Sequence, residues 1–185
     1  MHVTHPQVYP PQEDTYLLLE AALQEAKPGD FVLEVGCGSG HIAGILAGKN
    51  RVLASDINPH AVRETYARKV DAVRADLLAG IRGPFDLVIF NPPYLPTLPD
   101  ERIDDWLELA LDGGRDGREV IGRFAVQVGR VLAPGGRVLL LLSSLTGLER
   151  IRGIFSEQGF DCEIVGEGRV EGEILYAIRC IPHRG

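Results

Sequence analysis

Residues 31–46 constrain the fold of this chain more than any other stretch. Phe31-Val32-Leu33-Glu34-Val35 is a short apolar run, and it enters Gly36-Cys37-Gly38-Ser39-Gly40 without a break. Ile42, Ile45 and Leu46 then recur at helical spacing. The glycines let backbone approach a ligand closely. A strand, a glycine-rich turn and a helix together form the first unit of a nucleotide-binding α/β sheet.

The same alternation continues along the chain. Residues 51–57 read as a second strand with Asp56 near its end, and Asn58-Pro59 supply an N-cap and a first helical residue. The helix that follows is expected to use Val62, Tyr66 and Lys69. A third strand spans 72–77 and ends near Asp76, and a fourth spans 85–90. Residues 91–116 form a long connection with Pro96, Pro99 and an acid-rich run from Asp100 to Glu108, and a short helix is expected at 106–111. Val120 or Ile121, Phe124, Val128 and Val131 mark the next helix, and the run 137–142 is apolar enough for a central parallel strand. Leu148, Ile151 and Phe155 mark another helix. Two last strands, near 162–165 and 174–180, are expected to pair as an antiparallel hairpin.

Ahead of this unit, residues 1–12 read as a proline-punctuated arm. A helix begins near Asp14, with Tyr16, Leu19, Leu23 and Ala26 as its apolar face, Asp14 or Thr15 as its cap and Pro28-Gly29 as its stop. The expected architecture is therefore one domain over 1–185, an α/β doubly wound Rossmann-like sheet. It has seven strands, mostly parallel with an antiparallel C-terminal strand, and residues 1–28 form an arm and helix packed on it.

Composition narrows the function. A chain of 185 residues is long enough for one full core. No stretch approaches membrane-span length, and no secretory signal is expected. Cys37, Cys162 and Cys180 are far apart and odd in number, which suggests neither a disulfide framework nor a zinc site, and the histidines are scattered. The expectations are a cytoplasmic location and no metal. A net charge of −7 argues against strong direct binding of nucleic acid.

Three groups fall at strand ends: Asp56, Asp76 and Asn91. The carboxyl ends of the strands of a doubly wound sheet line one crevice. There, Asp56 can accept from ribose hydroxyls, and Asp76 can meet an adenine amino group. Each could instead be only a turn residue or a solvated strand end. The glycine pattern also differs from the dinucleotide fingerprint, which needs a third glycine where His41 stands. This arrangement is that of an S-adenosylmethionine site, and over residues 30–180 the chain resembles the class I methyltransferases.

Asn91-Pro92-Pro93-Tyr94 follows the fourth strand. Two prolines cannot continue a ladder or a helix, so the stretch is either a stiffened turn or a set of acceptors aimed at a planar NH2 group, with Tyr94 as a stacking face. It resembles the catalytic motif of methyltransferases that act on exocyclic amines of adenine or guanine, or on the glutamine amide. Such nitrogens are weak nucleophiles. Hydrogen bonds to the Asn91 side-chain oxygen and the Pro92 carbonyl would polarise and hold them.

Two flanking stretches separate these substrates. Tyr9-Pro10-Pro11-Gln12-Glu13-Asp14-Thr15, and Ala110-Leu111-Asp112-Gly113-Gly114-Arg115-Asp116-Gly117, resemble the HemK/PrmC family of protein-(glutamine-N5) methyltransferases. The resemblance implies methylation of the glutamine in the Gly-Gly-Gln motif of a peptide-chain release factor, with S-adenosylmethionine leaving as S-adenosylhomocysteine. It implies that Thr15, Glu34, Gly36, Gly38, Asp56, Asp76, Leu77 and Asn91 bind the cofactor. It makes Asn91, Pro92 and Tyr94 catalytic, with Pro93 helping them to hold the substrate. Bacterial members carry a helical domain before this fold, whereas this chain has one helix there, as in the stand-alone archaeal and eukaryotic branch. That branch implies a small zinc-binding activator subunit, paired here with an exposed edge at the third strand. The competing readings are a methyltransferase for an exocyclic amine of RNA or DNA, and a cofactor-binding scaffold without catalysis.

Overall fold

The computed structural model describes residues 4–97 and 105–183. Pro99 and the first part of the acid-rich run lie outside the described residues. The chain opens with helix α1 (Glu13–Glu25) and then alternates: β1 (Phe31–Val35), α2 (His41–Leu46), β2 (Arg51–Asp56), α3 (Pro59–Ala67), β3 (Asp71–Arg74) and β4 (Phe85–Phe90). After the long connection, which carries α4 (Trp106–Leu109), come α5 (Glu119–Val128), β5 (Leu132–Ser143), α6 (Leu148–Glu157), β6 (Phe160–Val170) and β7 (Glu173–Pro182).

The strands form one seven-stranded sheet in the order β3-β2-β1-β4-β5-β7-β6. β3 through β5 pair in parallel, and β7 runs antiparallel to both β5 and β6. The chain moves outward from β1 to the β3 edge and then returns to lay β4 on the other side of β1. The crevice at that reversal is where ligands of such sheets sit.

Alternation along the strands builds two apolar layers. Leu33, Val35, Val88, Phe90, Val138, Leu140 and Leu142 meet Ile121, Phe124 and Val128 of α5 and Ile151 and Phe155 of α6. On the other face Val32, Leu87, Ile89, Leu139 and Leu141 meet Leu18, Ala21 and Ala22 of α1 and Ile42, Ala43 and Leu46 of α2. Because both faces are covered, the central strands are mostly apolar, with Glu34 in β1, Asp86 in β4 and Arg137 in β5 as charged exceptions. Among the described residues, no helix is long and apolar enough to cross a membrane.

Several expectations need correction. The buried face of α1 is Asp14, Leu18, Ala21 and Ala22, while Tyr16 and Leu23 are 54% and 52% exposed. The sequence of α1 is apolar on more than one side, so periodicity alone could not choose between them. Its N-cap is Gln12, whose backbone N–H donates to Thr15 Oγ1 at 3.4 Å. Likewise α3 buries Ala61 and Thr65 and leaves Tyr66 69% exposed. Small residues are required there, because a Cβ on Gly40 would stand 2.5 Å from Thr65 Oγ1. β3 ends at Arg74, so Asp76 lies in the turn beyond it.

The cysteine count misled in another way. Cys162 and Cys180 face each other across the β6–β7 ladder and form a disulfide, with Cα atoms 4.1 Å apart. Distance along the chain hid a pair that the hairpin register brings together. Cys37 is free and buried.

Candidate active site

β1 and β4 are neighbours, and Val35 pairs with Phe90. The next residues, Gly36 and Asn91, therefore leave the sheet side by side. A cleft of about 520 Å³ opens there, within the size range of small-molecule sites. Its walls include Thr15, Glu34, Gly36, Gly38, Asp56, Asp76, Leu77, Asn91, Pro92, Pro93 and Tyr94. Residues 15 and 94 thus reach one surface from opposite ends of this half of the chain.

The glycine turn is shaped by close approach. Gly36 has a φ of +64°, and a Cβ there would lie 3.2 Å from the Phe90 ring. Asp56 holds the turn: its Oδ2 accepts from Gly38 N–H at 2.9 Å and its Oδ1 from Asn58 N–H at 2.8 Å. A carboxylate has further acceptor sites beyond these two bonds. Glu34 is buried, and its Oε2 accepts from Ala43 N–H at 2.8 Å, which ties β1 to the first turn of α2.

Burial pushes the Glu34 carboxyl up to about 8, with the charge of Asp56 adding to the rise and the Ala43 bond opposing it. Burial also raises Asp56, with the backbone N–H groups around its carboxylate, those of Asn58 and Gly38 foremost, opposing the rise. Two desolvated acids on one cleft wall favour a cationic ligand, which would restore their charged forms. Asp76 sits at the rim, 2.5 Å from Arg123, with both side chains about half exposed. Leu77 beside it is buried and takes up a left-handed φ of 51°.

Asn91 is the centre of the other half of the cleft. Its Nδ2 donates to Asp14 Oδ2 at 3.0 Å, and its Oδ1 is buried with no hydrogen-bond partner among the described residues. A buried acceptor without a partner is costly, and at a cleft wall it marks a place where a ligand donor fits. Tyr94 stands beside it. Burial raises its hydroxyl pKa, and the charges of Asp14 and Glu173 push the same way.

The glycine-rich stretch after the motif supports this loop. Leu95 N–H donates to Leu111 O at 3.1 Å, Gly113 N–H to Leu95 O at 2.9 Å and Thr97 N–H to Gly114 O at 3.0 Å. A Cβ on Gly117 would lie 2.4 Å from the Tyr94 carbonyl oxygen. Arg118 closes the far side by donating to Thr146 O at 2.9 Å.

Some residues of the cleft were not singled out from sequence. Asp14 stood out as a possible cap and as part of the Tyr9–Thr15 stretch, not as a partner of Asn91, which it bonds. Tyr9 also lines the cleft, and burial raises its hydroxyl pKa, with the nearby charge of Asp14 pushing the same way. Glu173, at the start of β7, lines the cleft and hydrogen-bonds Ser143. Arg123 reaches it from α5. Asp14 and Tyr9 lie within a stretch that stood out. For Glu173 no sequence signal existed, because a hairpin brings it in from the far end of the chain.

The family model for the methyltransferase small domain matches residues 4–102. The chain belongs to this methyltransferase family. A Methanocaldococcus jannaschii protein with the provisional name protein N5-glutamine methyltransferase is 41% identical to it, over 94% of this chain and 91% of that one. The release factor glutamine methyltransferase of Deinococcus radiodurans is 39% identical over 71% of this chain, which spans only 53% of that longer protein. Among solved structures, a chain of the E. cuniculi Mtq2–Trm112 complex, responsible for methylation of the eRF1 translation termination factor, superposes with a TM-score of 0.81. It is 31% identical, and the match covers 96% of this chain and 99% of that one.

The methyltransferase is therefore an S-adenosylmethionine-dependent enzyme that methylates nitrogen. Its cleft fits that cofactor on structural grounds. The sulfonium and ammonium charges suit the two desolvated acids, the glycine turn admits close backbone approach, and Asp56 keeps acceptor capacity for ribose hydroxyls.

Proposed function

We propose that this enzyme methylates the side-chain nitrogen of the glutamine in the Gly-Gly-Gln motif of a peptide-chain release factor. The observation that carries the reading is the Asn91 side-chain oxygen, buried at the cleft wall with no partner among the described residues. An amide NH2 is the complementary group. The relatives and the structural neighbour, whose names speak of glutamine and of a termination factor, support the same substrate.

Glu34, Gly36, Gly38, Asp56, Asp76, Leu77 and Thr15 would hold the cofactor along its length, with Asn91 at its reactive end. S-adenosylmethionine supplies an electrophilic methyl group and keeps the electron pair of the broken carbon–sulfur bond. Asn91 and Pro92 act on the acceptor. They accept hydrogen bonds from the glutamine NH2, hold the nitrogen in place and stabilise the positive charge that builds on it. Pro93 stiffens the loop, and Tyr94 packs against the plane of the amide. The nitrogen gains the methyl carbon and releases one proton to solvent, so no strong base is needed beforehand.

The working unit in this proposal is one domain over 1–185, with the N-terminal arm and helix as part of the site, acting in the cytoplasm. A small zinc-binding activator subunit is the proposed partner. β3 is a sheet edge, and Val73 on it and Ile57 nearby are exposed. Such an edge suits strand addition by another chain. The neighbour solved as a two-protein complex supports this reading. Co-purification followed by metal analysis tests it, and a monomer that is fully active alone would remove the need for a partner.

The decisive experiment is transfer of labelled methyl to purified release factor, with and without Gln→Ala in its Gly-Gly-Gln motif. Label is expected only on the unaltered factor. Label that persists on the Ala variant would overturn the assignment.

A further inference from the structure

We propose that Asp14 is a positioning residue for this reaction: its carboxylate sets which way round the Asn91 amide sits, so that Oδ1 rather than the NH2 group faces the substrate nitrogen. The proposal rests on the reading that Asn91 receives a glutamine amide.

The two ends of an asparagine amide are chemically opposite. One accepts hydrogen bonds and the other donates them. A substrate NH2 is itself a donor, so only one orientation of Asn91 can hold it. Asp14 Oδ2 accepts from Asn91 Nδ2 at 3.0 Å and so selects that orientation across 77 residues of chain. Its other oxygen, Oδ1, accepts from the Thr15 backbone N–H at 2.6 Å and from Thr15 Oγ1 at 3.2 Å.

Asp14 is only 5% exposed and heads the core-facing side of α1, in line with Leu18, Ala21 and Ala22. Burying an acid there is costly unless donors surround it, and these donors do. A carboxylate alone can accept on both sides. An amide at position 14 would have one acceptor to offer against donors on two sides. Either the Thr15 N–H would lose its partner, or Asn91 would turn round and present NH2 to NH2. The carboxylate also polarises the Asn91 amide, which makes Oδ1 a stronger acceptor. It places negative charge behind the nitrogen that becomes positive during transfer.

The test exchanges the two groups. Asp14→Asn, Asn91→Asp and the double variant are compared with wild type by kcat and KM on release factor, cofactor affinity by calorimetry and melting temperature. Asp14→Asn is expected to lose about tenfold or more in kcat, the scale of one lost hydrogen bond to a charged group, with cofactor Kd held within about twofold. In the double variant the amide at 14 donates to the acid at 91, and Thr15 keeps its acceptor. It is expected to regain about tenfold in kcat over Asn91→Asp alone.

A role confined to stability predicts the reverse: a double variant no faster than the slower single one, with kcat following the melting temperature. That result, or an Asp14→Asn enzyme with wild-type kcat, overturns the proposal. A second readout does not depend on the substrate. In protein labelled with 15N at asparagine, the Asn91 NH2 signal, assigned by its loss in Asn91→Ala, should shift and exchange faster with solvent in Asp14→Asn. An unchanged signal overturns the proposal. If wild type leaves release factor unmethylated, the substrate assignment fails by itself, and this signal still decides the role of Asp14.

Discussion

The cleft has two walls with different origins. One is the row of strand ends, where Gly36 follows β1, Asp56 closes β2 and Asn91 follows β4. The other is the first turn of α1 with the arm before it, where Asp14, hydrogen-bonded by the Thr15 N–H, bonds Asn91 from across the fold and Tyr9 lines the same cleft. On the first wall, local pattern and function coincide: an apolar run ends, a polar residue follows, and the sheet aims it at the crevice. On the second they conflict. The acid that matters sits on the core face of a helix, a place where patterning expects an apolar residue. Such a mismatch between local rule and placement is itself a sign of function.

The comparison can be broken most severely at Asn91, where the two walls touch. Asn91→Ala should lower kcat by about 100- to 1,000-fold, as removal of a preorganised polar contact does, while cofactor affinity changes little. Single-turnover methyl transfer alongside calorimetry checks both halves. If turnover survives, the strand-end wall is not the reacting one.

Next in size is the support beneath the loop. Gly117 has a φ of +72°, and its Cβ would fall 2.4 Å from the Tyr94 carbonyl. Gly117→Ala should destabilise by about 2–4 kcal/mol through strain and overpacking and raise KM for release factor. Chemical denaturation and steady-state kinetics measure these effects. An unaltered KM would separate the glycine-rich stretch from substrate binding.

A smaller effect is expected at Asp56. Asp56→Ala should weaken cofactor binding by about 1–3 kcal/mol through lost hydrogen bonds. Normal binding in calorimetry would contradict the cofactor map.

The smallest effect is a pH dependence. Burial raises the folded pKa of Glu34 to about 8, above its ordinary 4.5, so the folded state keeps a proton that the unfolded state releases. The contribution is full below pH 4.5 and is lost as pH rises toward 8. The melting temperature of cofactor-free protein should therefore fall over that window, and Glu34→Gln should flatten the slope. A slope unchanged by Glu34→Gln would mean that another group titrates.

Much of this was legible in the chain itself. The strand runs, the glycine turn and the residues at strand ends depend on neighbours in sequence, because a strand and its exit turn are local objects. Hence β1, β4 and the Gly36, Asp56 and Asn91 positions could be placed without coordinates. The faces of α1 and α3 could not. α1 is apolar on several sides, and α3 meets α2 so closely that it needs Ala61 and Thr65 rather than the bulkier residues nearby. The disulfide between Cys162 and Cys180 depends on hairpin register, and the arrival of Glu173 at the cleft depends on the β7 strand reversing beside β5.

By itself, then, the sequence determined the alternating α/β class, the polar strand ends that line the crevice and the stiff turn Asn91-Pro92-Pro93-Tyr94 beside it. Each is written in short runs whose physics is local. Only the tertiary structure decided that Asp14 turns inward to bond Asn91, that Tyr16 faces out and that Glu173 joins the cleft. Those outcomes follow from which surfaces of a helix or hairpin find a partner, a competition settled by packing across the whole sheet.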